Sequence, residues 1–127
     1  CRPSVVDVDW WMTRCESFAS KVYPVNTGSN GGAFGKGSRF KIPTTRRVVN
    51  AIQSGELNDV ATEHVPGLNL HVPVAVDGVD SDLLNPIKTW DNNEEYQTYL
   101  AELVQKFQDN FKKFDVNQEI IAAGPKF

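Results

Sequence analysis

An apolar stripe between Tyr96 and Phe114 constrains this chain more than any other feature. Tyr96, Tyr99, Leu100, Leu103, Val104, Phe107, Phe111 and Phe114 recur at three- and four-residue steps, which puts them on one side of a helix. The opposite side carries Glu94, Gln97, Glu102, Lys106 and Lys113. Asn92, with Glu95 three residues on, supplies the start signal: a side-chain acceptor for the first free N–H groups and a carboxylate at the positive end of the helix dipole. The pattern predicts an amphipathic surface helix over 93–114.

Weaker patterns flank it. Val8, Trp11, Met12, Cys15, Phe18, Ala19 and Val22 fit a helix over 5–21, opened by a Ser4–Asp7 capping box. Trp10 lies off that stripe, either as a partly exposed aromatic or as a docking surface for another part of the protein. Val22–Val25 reads as a short edge strand containing Pro24. Arg39–Ile42 alternates as a strand ended by Pro43. Thr44 or Thr45 then caps a helix over 44–54 carrying Val48, Val49 and Ile52, and Gly55 supplies a left-handed stop. Residues 57–90 are rich in Pro, Gly, Asn and Asp. Leu68–Val72 is the best strand candidate there and the rest reads as ordered loop, a stretch that packs on something larger or carries function. A short helix over 117–123 stops at Gly124-Pro125. The expected class is α/β, a small mixed sheet with flanking helices at 5–21, 44–54 and 93–114. Residues 1–127 form one domain or part of one.

Charge and composition exclude some functions. With 40% hydrophobic and 23% charged residues the chain has an ordinary globular balance. A formal net charge of −3 argues against a nucleic-acid partner held by phosphate contacts. No run approaches the roughly 18 apolar residues of a membrane helix, and no signal peptide is seen. Cys1 and Cys15 read as reduced thiols, since a helix between them keeps them from pairing. A cytoplasmic protein is expected. His64 and His71 have no spacing that suggests zinc, and they read as strand or surface residues. No metal ligands and no catalytic residue are expected.

The residues best suited to ligand chemistry cluster between 26 and 46. Gly28, Gly31, Gly32, Gly35 and Gly37 would let backbone amides approach phosphate oxygens, with Lys36 or Arg39 adding charge. The segment is no Walker A loop, because Gly37 follows Lys36 where a Ser or Thr is needed. A plain hairpin connection stands beside the phosphate reading. Arg39 and Thr45 are either a guanidinium and hydroxyl for a nucleotide, or a solvated strand residue and a helix cap.

Asn26-Thr27-Gly28, Gly37-Ser38-Arg39, Thr45-Arg46, Ser54-Gly55-Glu56-Leu57, Leu84-Asn85-Pro86, Trp90, Asn110-Phe111 and Ala122-Ala123-Gly124-Pro125 stand in one order along the chain. In that order they resemble the C-terminal portion of the nucleotide-binding domain of ATP-dependent phosphoenolpyruvate carboxykinases, a likeness weakest before Val22. The resemblance implies part of a lyase of gluconeogenesis that converts oxaloacetate and ATP to phosphoenolpyruvate, ADP and CO₂. It implies a nucleotide contact through Arg39, Phe40 (by its main chain) and Thr45. Ser29 stands where that family has Trp, and Ser38 where it has Lys, which loosens the loop and lowers local charge. The family's phosphate-cradling loop and metal ligands lie upstream of the matched region. ATP is therefore expected at a weak or partial site, with no catalysis by the isolated chain. The expected partner is the remainder of a carboxykinase or another protein chain. A stand-alone non-catalytic module working in assembly, and an unrelated enzyme using the glycine loop, remain alternatives.

Overall fold

The computed structural model describes residues 4–127; Cys1 and the side chains of the expected Ser4–Asp7 capping box lie outside it. Four helices, α1 Ser4–Ser17, α2 Ile42–Gln53, α3 Asn93–Phe111 and α4 Gln118–Ala123, accompany two pairs of short strands. β1 Ser29–Asn30 pairs with β2 Ser38–Arg39, and β3 Thr62–Val65 with β4 Leu70–Pro73, both antiparallel. The class is the expected α/β, with its strands in two separate sheets instead of one mixed sheet. Three single 3₁₀ turns, Glu56–Asn58, Ser81–Leu84 and Pro86–Thr89, organise much of the stretch read as loop.

α3 follows its sequence signal most closely. Asn92 caps it through Oδ1, which accepts from the amides of Glu94 and Glu95 at 2.9 and 3.1 Å. α2 begins earlier than expected, because Ile42 and Pro43 join it. Pro43 sits in the first turn, where its fixed φ suits a helix and its missing N–H costs nothing. Lys41 therefore takes the cap position, without a side-chain hydrogen bond, and neither Thr44 nor Thr45 caps. Gly55, at φ 77, is the expected left-handed residue after α2.

Four expectations are corrected. α1 stops at Ser17, four residues short, as Ala19 turns left-handed at φ 46 and the Ser20 amide folds back to the Cys15 carbonyl at 2.9 Å. Val22–Val25 is no strand, because no second segment offers it a ladder. The strand expected at Arg39–Ile42 shrinks to Ser38–Arg39, the helix having taken its end. Leu68–Val72 shifts to Leu70–Pro73 and gains a partner, β3, that the sequence had hidden.

Among the described residues, six of the seven buried apolar side chains fall into two small clusters, and Val65 of β3 stands outside both. Ala51, Leu57 and Val76 join α2 to the following loops, with Tyr23, Ile52 and Leu84 packed around them. Tyr96, Leu100 and Val104 of α3 form the other, against Leu68, Ile87 and Trp90. Arg47 ties α2 to the next turn by a two-pronged bond to Glu56 at 2.7 and 2.8 Å. Asn85, a buried polar residue, donates Nδ2 to Glu63 Oε1 at 2.8 Å and accepts the Ile87 amide at 3.3 Å. This bond, and then Lys88, holds the Glu63 carboxyl below its usual range.

The C-terminal run is bolted to the β3–β4 turn. Lys126 N–H donates to the Gly67 carbonyl at 3.0 Å, and Asn69 Nδ2 to that of Ala123 at 3.0 Å. Gly67, at φ 82, is needed twice over, since a Cβ there would lie 2.9 Å from Leu100 Cδ2.

Candidate functional site

The glycine segment folds as a hairpin tip whose shape depends on two of its glycines. A Cβ on Gly37 would meet the Asn30 carbonyl oxygen at 2.7 Å, and one on Gly31, at φ 77, the Thr89 oxygen at 3.0 Å. Three of the loop's amides are turned inward. Gly31 N–H donates to Thr89 Oγ1 at 3.2 Å, and the amides of Lys36 and Gly37 donate to the Ala33 carbonyl at 2.9 and 3.1 Å. Asn26 Oδ1 accepts the Gly28 amide at 2.9 Å and opens the hairpin. Of the two readings of this segment, the hairpin connection matches these bonds, because the amides of Gly28, Gly31, Lys36 and Gly37 are spent on the protein.

The two cations proposed for the loop part company. Lys36 donates to Glu95 Oε1 of α3 at 2.7 Å, and that hydrogen bond, with the carboxylate's charge, raises the Lys36 pKa. Its charge is spent on docking the hairpin to α3. Arg39 ends β2, opposite Ser29, and is exposed. Its guanidinium meets no acceptor among the described residues.

Phe40 and Thr45 continue from Arg39 into α2. The Phe40 amide closes the hairpin by donating to the Gly28 carbonyl at 3.0 Å, which leaves its own carbonyl without a donor among the described residues. Thr45 is half-buried in the first turn and its amide donates to the Lys41 carbonyl at 3.1 Å. Since Lys41 is the cap, the Thr45 hydroxyl is not consumed in capping and has no partner among the described residues. The strand-to-helix junction thus presents a guanidinium, a main-chain carbonyl and a hydroxyl within seven residues. The first amides of α2 have no intrahelical acceptor, and its first turn holds no acidic side chain, so the local field favours an anion.

Ser29 and Ser38, the positions of the Trp and Lys expected by resemblance, are exposed neighbours in the strand pair. Ser38 Oγ donates to Asn30 Oδ1 at 3.2 Å, a hairpin bond that a lysine could not make as a hydroxyl does. An open depression of about 380 Å³ lies elsewhere, lined by Lys21, Tyr23, Ile52, Gln53, Gly55 and Asn58 among others. It sits at the far end of α2, roughly 10 Å along the helix from Thr45. The chemistry-bearing groups are at the junction, which is therefore the candidate site. Among the described residues, no three or more His, Cys, Asp or Glu gather in a way that could hold a metal ion. Sequence reasoning missed the Glu95 and Thr89 anchors of the hairpin, because both are distant in the chain. Among the described residues no helix is long and apolar enough to cross a membrane.

Comparison with known proteins identifies the family. The sequence profile of the family described as phosphoenolpyruvate carboxykinase matches residues 4–82. A phosphoenolpyruvate carboxykinase (ATP) of Caldanaerobacter subterraneus is 42% identical over 125 residues, covering 98% of this chain and 24% of that protein. One from Lysinibacillus sphaericus is 39% identical over 123 residues, covering 96% of this chain and 23% of its own length. One from Dictyostelium discoideum is 38% identical over 109 residues, covering 84% and 19%. The chain therefore spans less than a quarter of the length of these relatives. With the profile covering more than half of it, the chain belongs to the phosphoenolpyruvate carboxykinase family.

Proposed function

We propose that this chain is the nucleotide-facing, C-terminal part of an ATP-dependent phosphoenolpyruvate carboxykinase, cytoplasmic, and not catalytic by itself. The observation that carries the reading is the β2–α2 junction, where Arg39, the Phe40 carbonyl and the Thr45 hydroxyl have no partner among the described residues. Those three groups suit the adenosine end of ATP: a planar cation to stack on a base or pair with oxygen, an acceptor for an amine, and a hydroxyl for a ribose. Nothing at the junction cradles the phosphates, so the site is a partial one and its ATP affinity weak.

Conversion of oxaloacetate and ATP to phosphoenolpyruvate, ADP and CO₂ needs groups to position and neutralise the transferring phosphoryl. Among the described residues no group of three or more His, Cys, Asp or Glu could hold the metal ions for that step, and no step is assigned to them. The partner that supplies the step is the remainder of a carboxykinase or another protein chain, with no nucleic acid and no membrane involved.

Isothermal titration with Mg-ATP tests the assignment. Weak saturable binding is expected for the wild-type chain, and Arg39→Ala should weaken it about tenfold, the scale of one hydrogen bond to a charged group. Equal affinity in the variant would remove Arg39 from the site, and no saturable binding by the wild type would remove the site itself.

A further inference from the structure

The two histidines, seven residues apart, become direct neighbours once the hairpin forms. In β3 and β4, His64 pairs with His71. Val74 N–H donates to the Ala61 carbonyl at 3.0 Å, so residues 61 and 74 are a hydrogen-bonded pair. Stepping by two along the ladder, Glu63–Val72 and Val65–Leu70 are the same kind, and His64–His71 is the non-hydrogen-bonded kind, in which side chains approach more closely. Both histidines are exposed, with ring centroids 5.3 Å apart and planes tilted by 51°.

A fixed partner selects the tautomer of His64. Asn69 Nδ2 faces the carbonyls of Ala122, Ala123 and Gly124 at 3.5, 3.0 and 3.4 Å. The amide nitrogen must lie on that side, and Oδ1 therefore faces His64. His64 Nε2 stands 3.2 Å from that oxygen and so carries the proton, which leaves the Nδ1 lone pair available. An imidazole whose other nitrogen donates to a carbonyl oxygen is the arrangement that orients a metal-bound histidine. His71 has no hydrogen-bond partner among the described residues, and its χ2 is free to turn towards a shared ion.

We propose that His64 and His71 form a surface chelate for a borderline divalent transition-metal ion such as Zn²⁺, water completing the coordination. The spacing fits. With metal–nitrogen bonds of about 2.0–2.1 Å, and each nitrogen about 1.2 Å from its ring centre, two imidazoles on one tetrahedral ion hold their centroids roughly 5 Å apart. Hard ions such as Mg²⁺, which take oxygen ligands, do not suit the pair. Two protein ligands make a weaker site than the four of a structural zinc centre, and its effect is to clip β3 to β4. This assignment does not rest on the nucleotide reading.

The test is isothermal titration of the whole chain with ZnCl₂, with MgCl₂ in parallel and reversal by EDTA. One Zn²⁺ per chain should bind, Mg²⁺ should not, and His64→Ala and His71→Ala should each weaken binding at least about tenfold. His64→Gln and His71→Gln, which keep size and polarity, should do the same with an unchanged circular dichroism spectrum. No Zn²⁺ binding by the wild type, or equal binding by the variants, would overturn the assignment.

Discussion

At the level of single residues, the side chains that matter are those left without partners. Tyr96 is 6% exposed and its hydroxyl is buried without a hydrogen bond among the described residues; burial also pushes its pKa up. Its ring packs edge-on against Trp90 at 5.6 Å, which a phenylalanine would keep. An unsatisfied buried hydroxyl costs on the order of 1–3 kcal/mol. Tyr96→Phe is expected to raise stability by about 1 kcal/mol in denaturant melts, and a loss instead would mean the hydroxyl is satisfied in solution. Arg39 and Thr45, whose side chains have no hydrogen-bond partner among the described residues, were legible as candidates by residue type, because the surrounding residues carry the family resemblance. That Thr45 is not a cap was illegible, since either Thr44 or Thr45 satisfies the local rule and only the inclusion of Pro43 in the helix decides. The His64–His71 pair was invisible for a related reason. Its two members meet only through a register, and a register is set by the turn between them.

Among the elements, legibility follows how far each one depends on its own sequence. α3 carries its start at Asn92 and its stripe internally, so its position was clear. Its end, Phe111 in place of 114, differs only by a final turn. β3 is Thr62–Val65, polar and short, and becomes a strand only because β4 lies beside it. Val22–Val25 shows the reverse case, strand propensity without a partner. The stripe of α3 is also not uniformly buried. Leu100 is 4% exposed, whereas Leu103 is 43% exposed. Leu100→Ala should cost about 2–4 kcal/mol, and Leu103→Ala less than about 1 kcal/mol, both read from shifts in denaturant midpoint. Equal costs would show that the outer half of the stripe is covered in the isolated chain.

For the whole molecule, that half-open stripe is one instance of a general excess. The chain exposes 9396 Å² at a mass of 14.2 kDa, where a folded monomer of this mass exposes about 6,800 Å². The difference exceeds the roughly 800 Å² that one partner contributes to a standard interface. Trp10, Trp11 and Phe18 of the α1 region and Tyr99, Leu103 and Phe107 of α3 are all more than 40% exposed. For Trp10, the guanidinium of Arg14 at 4.8 Å is the contact over its ring, and its docking reading gains support from this open neighbourhood. Apolar surface on this scale is what a part of a larger enzyme presents where more protein should lie. Light scattering on the purified chain over a range of concentrations tests this most directly. Self-association that grows with concentration, accompanied by binding of an apolar dye, is the predicted result. A monodisperse monomer that binds no dye and melts in one cooperative step would contradict it.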